Sequence, residues 1–127
     1  MIADARTMAA QGVKAITTSC GFNAIFQQQL AEAVSVPVFT SSLLQVPLVQ
    51  RIHDPKSEIC ILTANARALR PEHLSSVGIE RTDGLHIVGL EQCREWMRMF
   101  AEADAEIDLT ARKPIFDTNK NWSQSTR

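Results

Sequence analysis

The chain is 127 residues long, 45% hydrophobic and 21% charged, with five glycines, five prolines and no tyrosine. A chain of this size buries roughly two-thirds of its unfolded surface, enough for one core and too little for two packed domains. Its 13 Lys and Arg offset 14 Asp and Glu, so no basic field gathers nucleic acid or an anionic membrane, and neither is expected as a partner.

Residues 1–11 read as a helix ended by Gly12, and they lack the basic segment and apolar run of a secretory signal. No apolar run approaches the roughly 20 residues of a membrane-spanning helix, so a soluble cytoplasmic protein is expected. Val13-Lys14-Ala15-Ile16-Thr17 reads as a strand. Phe22, Ile25, Phe26, Leu30 and Ala33 then recur at spacings of three and four, which predicts one amphipathic helix over 21–34. Val36-Pro37-Val38-Phe39 is a second strand, with Pro37 near its start, where a missing N–H does least harm. The polar loop Thr40-Ser41-Ser42 ends it, and residues 43–52 read as a helix with Pro47 in its first turn or kinking it. A third strand over 58–62 ends at Thr63, Pro71 opens a short helix, 85–88 is a fourth strand, and a last helix covers about 91–107. Its stripe of Trp96, Met99, Phe100, Ala103 and Ile107 is expected to pack on the sheet.

Short β-branched runs alternating with helical stretches are the mark of βαβ units. The fold class expected is α/β, a Rossmann-like three-layer α/β/α arrangement with a mostly parallel sheet. Residues 1–110 form its single domain, and 111–127 form a C-terminal tail that carries a short strand at 114–116 and frays at its end.

Chemistry concentrates in Thr17-Thr18-Ser19-Cys20-Gly21-Phe22-Asn23. Cys20 leaves the carboxyl end of a parallel strand, the edge where open α/β sheets bind ligands. It also enters a helix, whose outward N–H groups at Gly21, Phe22 and Asn23 favour a thiolate or hold a carboxylate. The plainer reading makes Cys20 a small buried apolar residue. Thr40, Ser41 and Ser42 end the second strand and Thr63 the third, so hydroxyls at successive strand ends outline a site for a small polar anion. Each alone is usually a cap or turn.

The remaining candidates are weaker. Cys60, between Ile59 and Ile61, is expected to pack against a helix, and Cys93 falls in the first turn of the last helix. The three cysteines include no Cys-x-x-Cys pair, and an odd number suggests free thiols. His53, His73 and His86 are scattered, which fits surface or capping roles better than pairing with a nucleophile. No metal-ligand cluster or Gly-rich phosphate loop occurs, and neither a metal nor a cofactor is expected.

With these residues in view, the sequence resembles the aspartate/glutamate racemase superfamily of cofactor-independent racemases, isomerases and decarboxylases. The likeness is most specific in Gly12-Val13-Lys14-Ala15-Ile16-Thr17-Thr18-Ser19-Cys20-Gly21-Phe22, with Gln27 following, and in residues 36–47. It continues more weakly through 59–64 and 88–91. The resemblance implies an isomerase of amino-acid metabolism in which Cys20 is the acid/base thiol for a small carboxylate or amino acid, and Thr18, Ser19, Gly21, Phe22, Asn23, Thr40, Ser41, Ser42 and Thr63 line the site. Against the family's two-domain fold the chain reads as truncated, without the opening strand and without the segment bearing a second catalytic cysteine. A racemase of this kind is expected to be impaired alone. Its rivals are a non-catalytic remnant that binds a carboxylate and, less favoured, a cysteine hydrolase. A partial sheet leaves an edge uncovered, which makes a homodimer the expected assembly.

Overall fold

The computed structural model describes residues 1–54 and 56–102, apart from the side chains of Glu95 and Phe100. The expected tail at 111–127, with its strand at 114–116, and the end of the last helix lie outside the described residues. The chain is a mixed α/β protein with two short parallel strand pairs, and it divides into two compact units.

The first unit comprises Met1–Ile59 and Leu69–Gly84. Helix α1 (Ile2–Ala10) ends where Gly12 adopts φ +86°, a left-handed conformation that an L side chain would strain. Strand β1 (Ile16–Thr17) pairs in parallel with β2 (Val38–Phe39), Ile16 opposite Val38 and Thr17 opposite Phe39. Both strands are shorter than the sequence predicts, and Pro37 supplies the reason. In this register the next rung would need an N–H at position 37 for the Lys14 carbonyl, and proline has none. Only the Pro37 carbonyl takes part, accepting from the Ile16 N–H at 2.9 Å. Ile16 and Val38 point inward and join Ala5 and Leu30 in the core, with Val13, Val34 and Val36 packed around them.

The predicted helix over 21–34 forms in two pieces. Gly21–Phe26 is a 3₁₀ segment, and α2 (Gln27–Ala33) continues it as an α-helix. Phe22, Asn23, Ile25 and Phe26 are all weak helix formers, and Cys20 provides no side-chain cap. After β2 comes a second 3₁₀ segment, Ser42–Gln45, and then α3 (Val46–Ile52), with Pro47 in the first turn where its missing N–H costs nothing. Helix α4 (Pro71–Ser75) packs against the 3₁₀ segment Gly21–Phe26.

The second unit comprises Cys60–Ala68 and the chain from Leu85 onward. Strand β3 (Ile59–Thr63), which belongs to this unit from Cys60 onward, pairs with β4 (Leu85–Gly89). The Ile59 N–H donates to the Gly84 carbonyl at 2.8 Å and the Leu90 N–H to the Thr63 carbonyl at 2.9 Å. Partner numbers rise together, as in a parallel pair. Ile61 is buried while Cys60 and Leu62 are exposed, which corrects the expectation that Cys60 packs against a helix. Successive side chains leave opposite faces of a strand, and Ile61 takes the covered one. Helix α5 (Arg94–Ala101) starts three residues later than predicted, because Leu90 still extends the ladder and the Glu91 carboxylate accepts from the Ala66 N–H at 3.2 Å. Cys93 therefore caps this helix from outside its first turn, and Met99 is exposed instead of packed on a sheet. Among the described residues no helix is long and apolar enough to cross a membrane.

Candidate functional site

The register of β1 and β2 turns Thr17 and Phe39 together toward the face opposite the core. Just beyond them the two strand ends are tied through main-chain carbonyls. The Thr17 hydroxyl donates to the Phe39 carbonyl at 3.1 Å and the Thr18 hydroxyl to the Thr40 carbonyl at 2.7 Å. Gln27, at the start of α2, reaches the same place. Its Nε2 donates to the Val38 carbonyl at 2.9 Å, while its Oε1 accepts from the Thr40 N–H at 3.0 Å and the Thr40 hydroxyl at 2.7 Å. Thr40 is wholly buried, so one side chain satisfies three polar groups that water cannot reach.

This clamp holds the floor of an open cavity of about 350 Å³. Thr17, Thr18, Ser41 and Ser42 line it together with Phe39, Leu44 and Gln45. Ser41 is nearly buried, and its Oγ accepts from the Leu43 N–H at 3.2 Å. A serine hydroxyl that accepts one bond still has its own hydrogen to give.

Cys20 is exposed, which removes the reading of a small buried apolar residue. It stands three residues past β1 with an extended backbone and caps the 3₁₀ segment without a side-chain bond. Next to it, the Cβ direction of Gly21 meets Ser41 Oγ at 3.7 Å, which brings the cysteine turn alongside the serine loop. The tight 3₁₀ start alters the expected row of donors. The Asn23 N–H already donates to the Cys20 carbonyl at 3.0 Å, so among the described residues Gly21 and Phe22 keep unengaged N–H groups and Asn23 does not. Thr17 and Thr18 are likewise not donors toward a ligand, because both hydroxyl hydrogens face carbonyls. Thr40 is engaged throughout, Ser19 is exposed but does not line the cavity, and Thr63 belongs to the second unit.

His73 has the capping role expected of a histidine here. It is buried, its Nδ1 accepts from the Arg70 N–H at 3.1 Å, and its ring meets Phe22 edge to face with centroids 5.7 Å apart. Accepting at Nδ1 places the proton of the neutral ring on Nε2. The sequence did not show that Gln27 ties the helix to β2 or that Phe39 lines the cavity. The signal for Phe39 was its strand period, which opposes it to the buried Val38. Gln27 opens the register only a polar residue would take at a buried helix end. Among the described residues no group of three or more His, Cys, Asp or Glu is placed to hold a metal ion.

The fold and cavity define an α/β chain with an open cavity lined by polar residues, one aromatic and one leucine. Comparison with known proteins is more specific. Dimethylsulfoniopropionate lyase 3 of Emiliania huxleyi is 43% identical over 61 residues, covering 48% of this chain and 16% of that protein. Dimethylsulfoniopropionate lyase 7 of the same organism is 42% identical over 62 residues, covering 49% and 18%. Dimethylsulfoniopropionate lyase 5, also of that organism, is 33% identical over 92 residues, covering 68% and 18%. The chain spans less than a fifth of the length of these curated relatives. No family model matches it, and no solved structure is significantly similar.

These relatives correct the resemblance drawn from the sequence. They are lyases and not members named for racemisation, so the aspartate/glutamate racemase assignment, with its isomerase activity in amino-acid metabolism, is overturned. Their names support neither a cysteine hydrolase nor a non-catalytic remnant. The physical source of the error is a shared first step. Racemisation and elimination next to a carboxylate can both begin by removing a proton from the adjacent carbon, and a base beside hydrogen-bond donors serves either.

Proposed function

We propose that this chain carries part of a dimethylsulfoniopropionate lyase site, with Cys20 as the base. The observation that supports this is the match to lyases at 33% to 43% identity. The substrate is a propionate with a dimethylsulfonium group on C3. A Cys20 thiolate takes a C2 proton, the C–H electron pair becomes the C2–C3 double bond, and the C3–S bond breaks with its pair going to sulfur. Dimethyl sulfide and acrylate result, and the proton leaves Cys20 for solvent. Such an elimination needs a base on one face of C2 only, since no second group must return a proton from the other side.

The carboxylate gains enolate character as C2 loses its proton, and donors aimed at it lower the barrier. The Gly21 and Phe22 N–H groups and the Ser41 and Ser42 hydroxyls supply them. Thr40 and Asn23 hold the loops, Thr40 through the Gln27 side chain and Asn23 through the Cys20 carbonyl, and Thr18, whose hydrogen goes to the Thr40 carbonyl, donates nothing to the carboxylate. The same proposal extends to the fold: β1, the helical segment behind it and β2 form one parallel β-α-β step, which we take as the repeating unit of a Rossmann-like three-layer domain.

The test is release of dimethyl sulfide, followed in the headspace by gas chromatography, with acrylate followed by proton NMR. Release is expected with the native chain and lost in Cys20→Ala. A second readout is exchange of C2 protons for deuterium in 4-methylpentanoate, which has the same shape but no leaving group. Absence of both sulfide release and Cys20-dependent exchange overturns the proposal.

A further inference from the structure

Resting on the lyase reading, we infer that the first-unit cavity is polarised for a zwitterion: Thr17 and Phe39 receive an onium group, Ser41 and Ser42 receive the carboxylate, and Phe39 sets the preference for a charged over a neutral occupant. The polarity follows from how the hydroxyls are engaged. Thr17 gives its hydrogen to the Phe39 carbonyl and Thr18 gives its hydrogen to the Thr40 carbonyl, so both oxygens offer the cavity lone pairs only. Phe39 stands directly opposite Thr17 in the strand register and lines the same cavity. It is 54% exposed, and the face of an aromatic ring is electronegative. Oxygen lone pairs and a ring face together make an end that attracts positive charge.

The serine end is the opposite. Ser41 accepts from the Leu43 N–H and keeps its own hydrogen to donate, and Ser42 stands beside it on the same lining. Among the described residues no ionisable side chain lines the cavity. A carboxylate therefore meets no repelling acid, and an onium group meets no basic competitor. An aromatic face is the remaining way to recognise a cation that has no N–H to donate, which is the situation of a sulfonium or a quaternary ammonium. The volume, about 350 Å³, suits a small ligand with the two charges separated by a short methylene chain.

The experiment compares dissociation constants, by NMR titration of the full chain, for dimethylsulfoniopropionate and for 4-methylpentanoate, in which a neutral C–H replaces S⁺. The native chain is expected to favour the sulfonium. Phe39→Leu should weaken sulfonium binding by about two- to fivefold, the range for an exposed cation–π contact, and leave 4-methylpentanoate nearly unchanged. Phe39→Trp should restore the preference. Since the ring is more than half exposed, both variants are expected to keep the β1–β2 hydrogen-exchange pattern, which is checked in the same samples. Equal losses for the two ligands, no native preference, or no saturable binding of either overturns the inference. Equal losses accompanied by sulfide release would sink the inference and spare the lyase reading. Selective sulfonium binding with neither sulfide release nor exchange would do the reverse.

Discussion

Replacing Gln27 is the sharpest test of how the site is held. Gln27→Leu removes the donor to the Val38 carbonyl and the acceptor for both the Thr40 N–H and the Thr40 hydroxyl. Each lost bond is worth about 1 kcal/mol net, and Thr40, wholly buried, cannot turn to water instead. The sum is about 3 kcal/mol, partly offset by the apolar side chain, so a loss of about 2–4 kcal/mol is expected. With a urea slope of about 2 kcal/mol per molar, the midpoint followed by circular dichroism falls by about 1–2 M, and the Thr40 amide exchanges faster. Gln27→Glu adds a pH signature. An ionised glutamate still accepts from both Thr40 donors but sets its second oxygen against the Val38 carbonyl, whereas the protonated form donates to it. Burial and that carbonyl both favour the neutral acid, so the folded-state pKa is raised above the unfolded value of about 4.3. The variant's stability is thus fully present below about 4.3 and declines as pH rises through the folded value, a slope the native glutamine lacks. A leucine variant within about 0.5 kcal/mol of native stability, or a glutamate variant whose pH profile parallels the native one, refutes the reasoning.

Leu30→Ala empties a buried position in the first-unit core and should cost about 2–5 kcal/mol in thermal or urea unfolding. His73→Ala takes away the acceptor of the Arg70 N–H and the ring against Phe22; a loss of about 1–3 kcal/mol is expected, and His73→Phe should recover only the ring's share. In the second unit, a Cβ at Gly89 would stand 2.6 Å from the Ala66 backbone nitrogen and clash with the Glu91 carboxylate. Gly89→Ala should therefore free the Ala66 amide, seen as faster hydrogen exchange there, while first-unit amides stay unchanged. Gly12→Ala forces an L side chain to φ +86° and should lower stability by about 1–2 kcal/mol on a calorimetric scan.

Much of the element order was legible, and the departures have definite causes. Spacings of three and four marked the helical stretch after Cys20 and its buried Leu30, yet over six residues the same spacings serve a 3₁₀ turn as well as an α-helix. The piece that mattered most, the 3₁₀ start, decides that the Asn23 N–H donates to the Cys20 carbonyl while, among the described residues, the Gly21 and Phe22 N–H groups stay unengaged. Pro37 was read as harmless near a strand start, but in the observed register it stops the ladder. Of the expected site residues with hydroxyls at the strand ends, Thr18, Ser41 and Ser42 line the cavity. Which of them donate could not be read, because that depends on which carbonyl stands opposite each one across two strands. The reaction class was not legible at all: a cysteine and hydroxyls at strand ends do not distinguish a racemase from a lyase, and the similar proteins are named as lyases.

The register of one short strand pair therefore has consequences beyond its two rungs. Setting Thr17 opposite Phe39 buries Ile16 and Val38, brings an aromatic ring to the rim, and offers the Phe39 and Thr40 carbonyls to the two threonine hydroxyls. A slip of one residue would send Thr17 and Phe39 inward and put the core residues at the cavity, because side chains alternate with a period of two. Gln27 makes such a slip costly: its Oε1 accepts from the Thr40 hydroxyl as well as from the Thr40 N–H, and a slip of one residue would send the Thr40 side chain to the opposite face and break the hydroxyl bond. Cavity polarity and strand register are in this way secured by the same glutamine, and loosening it should blunt ligand preference together with stability.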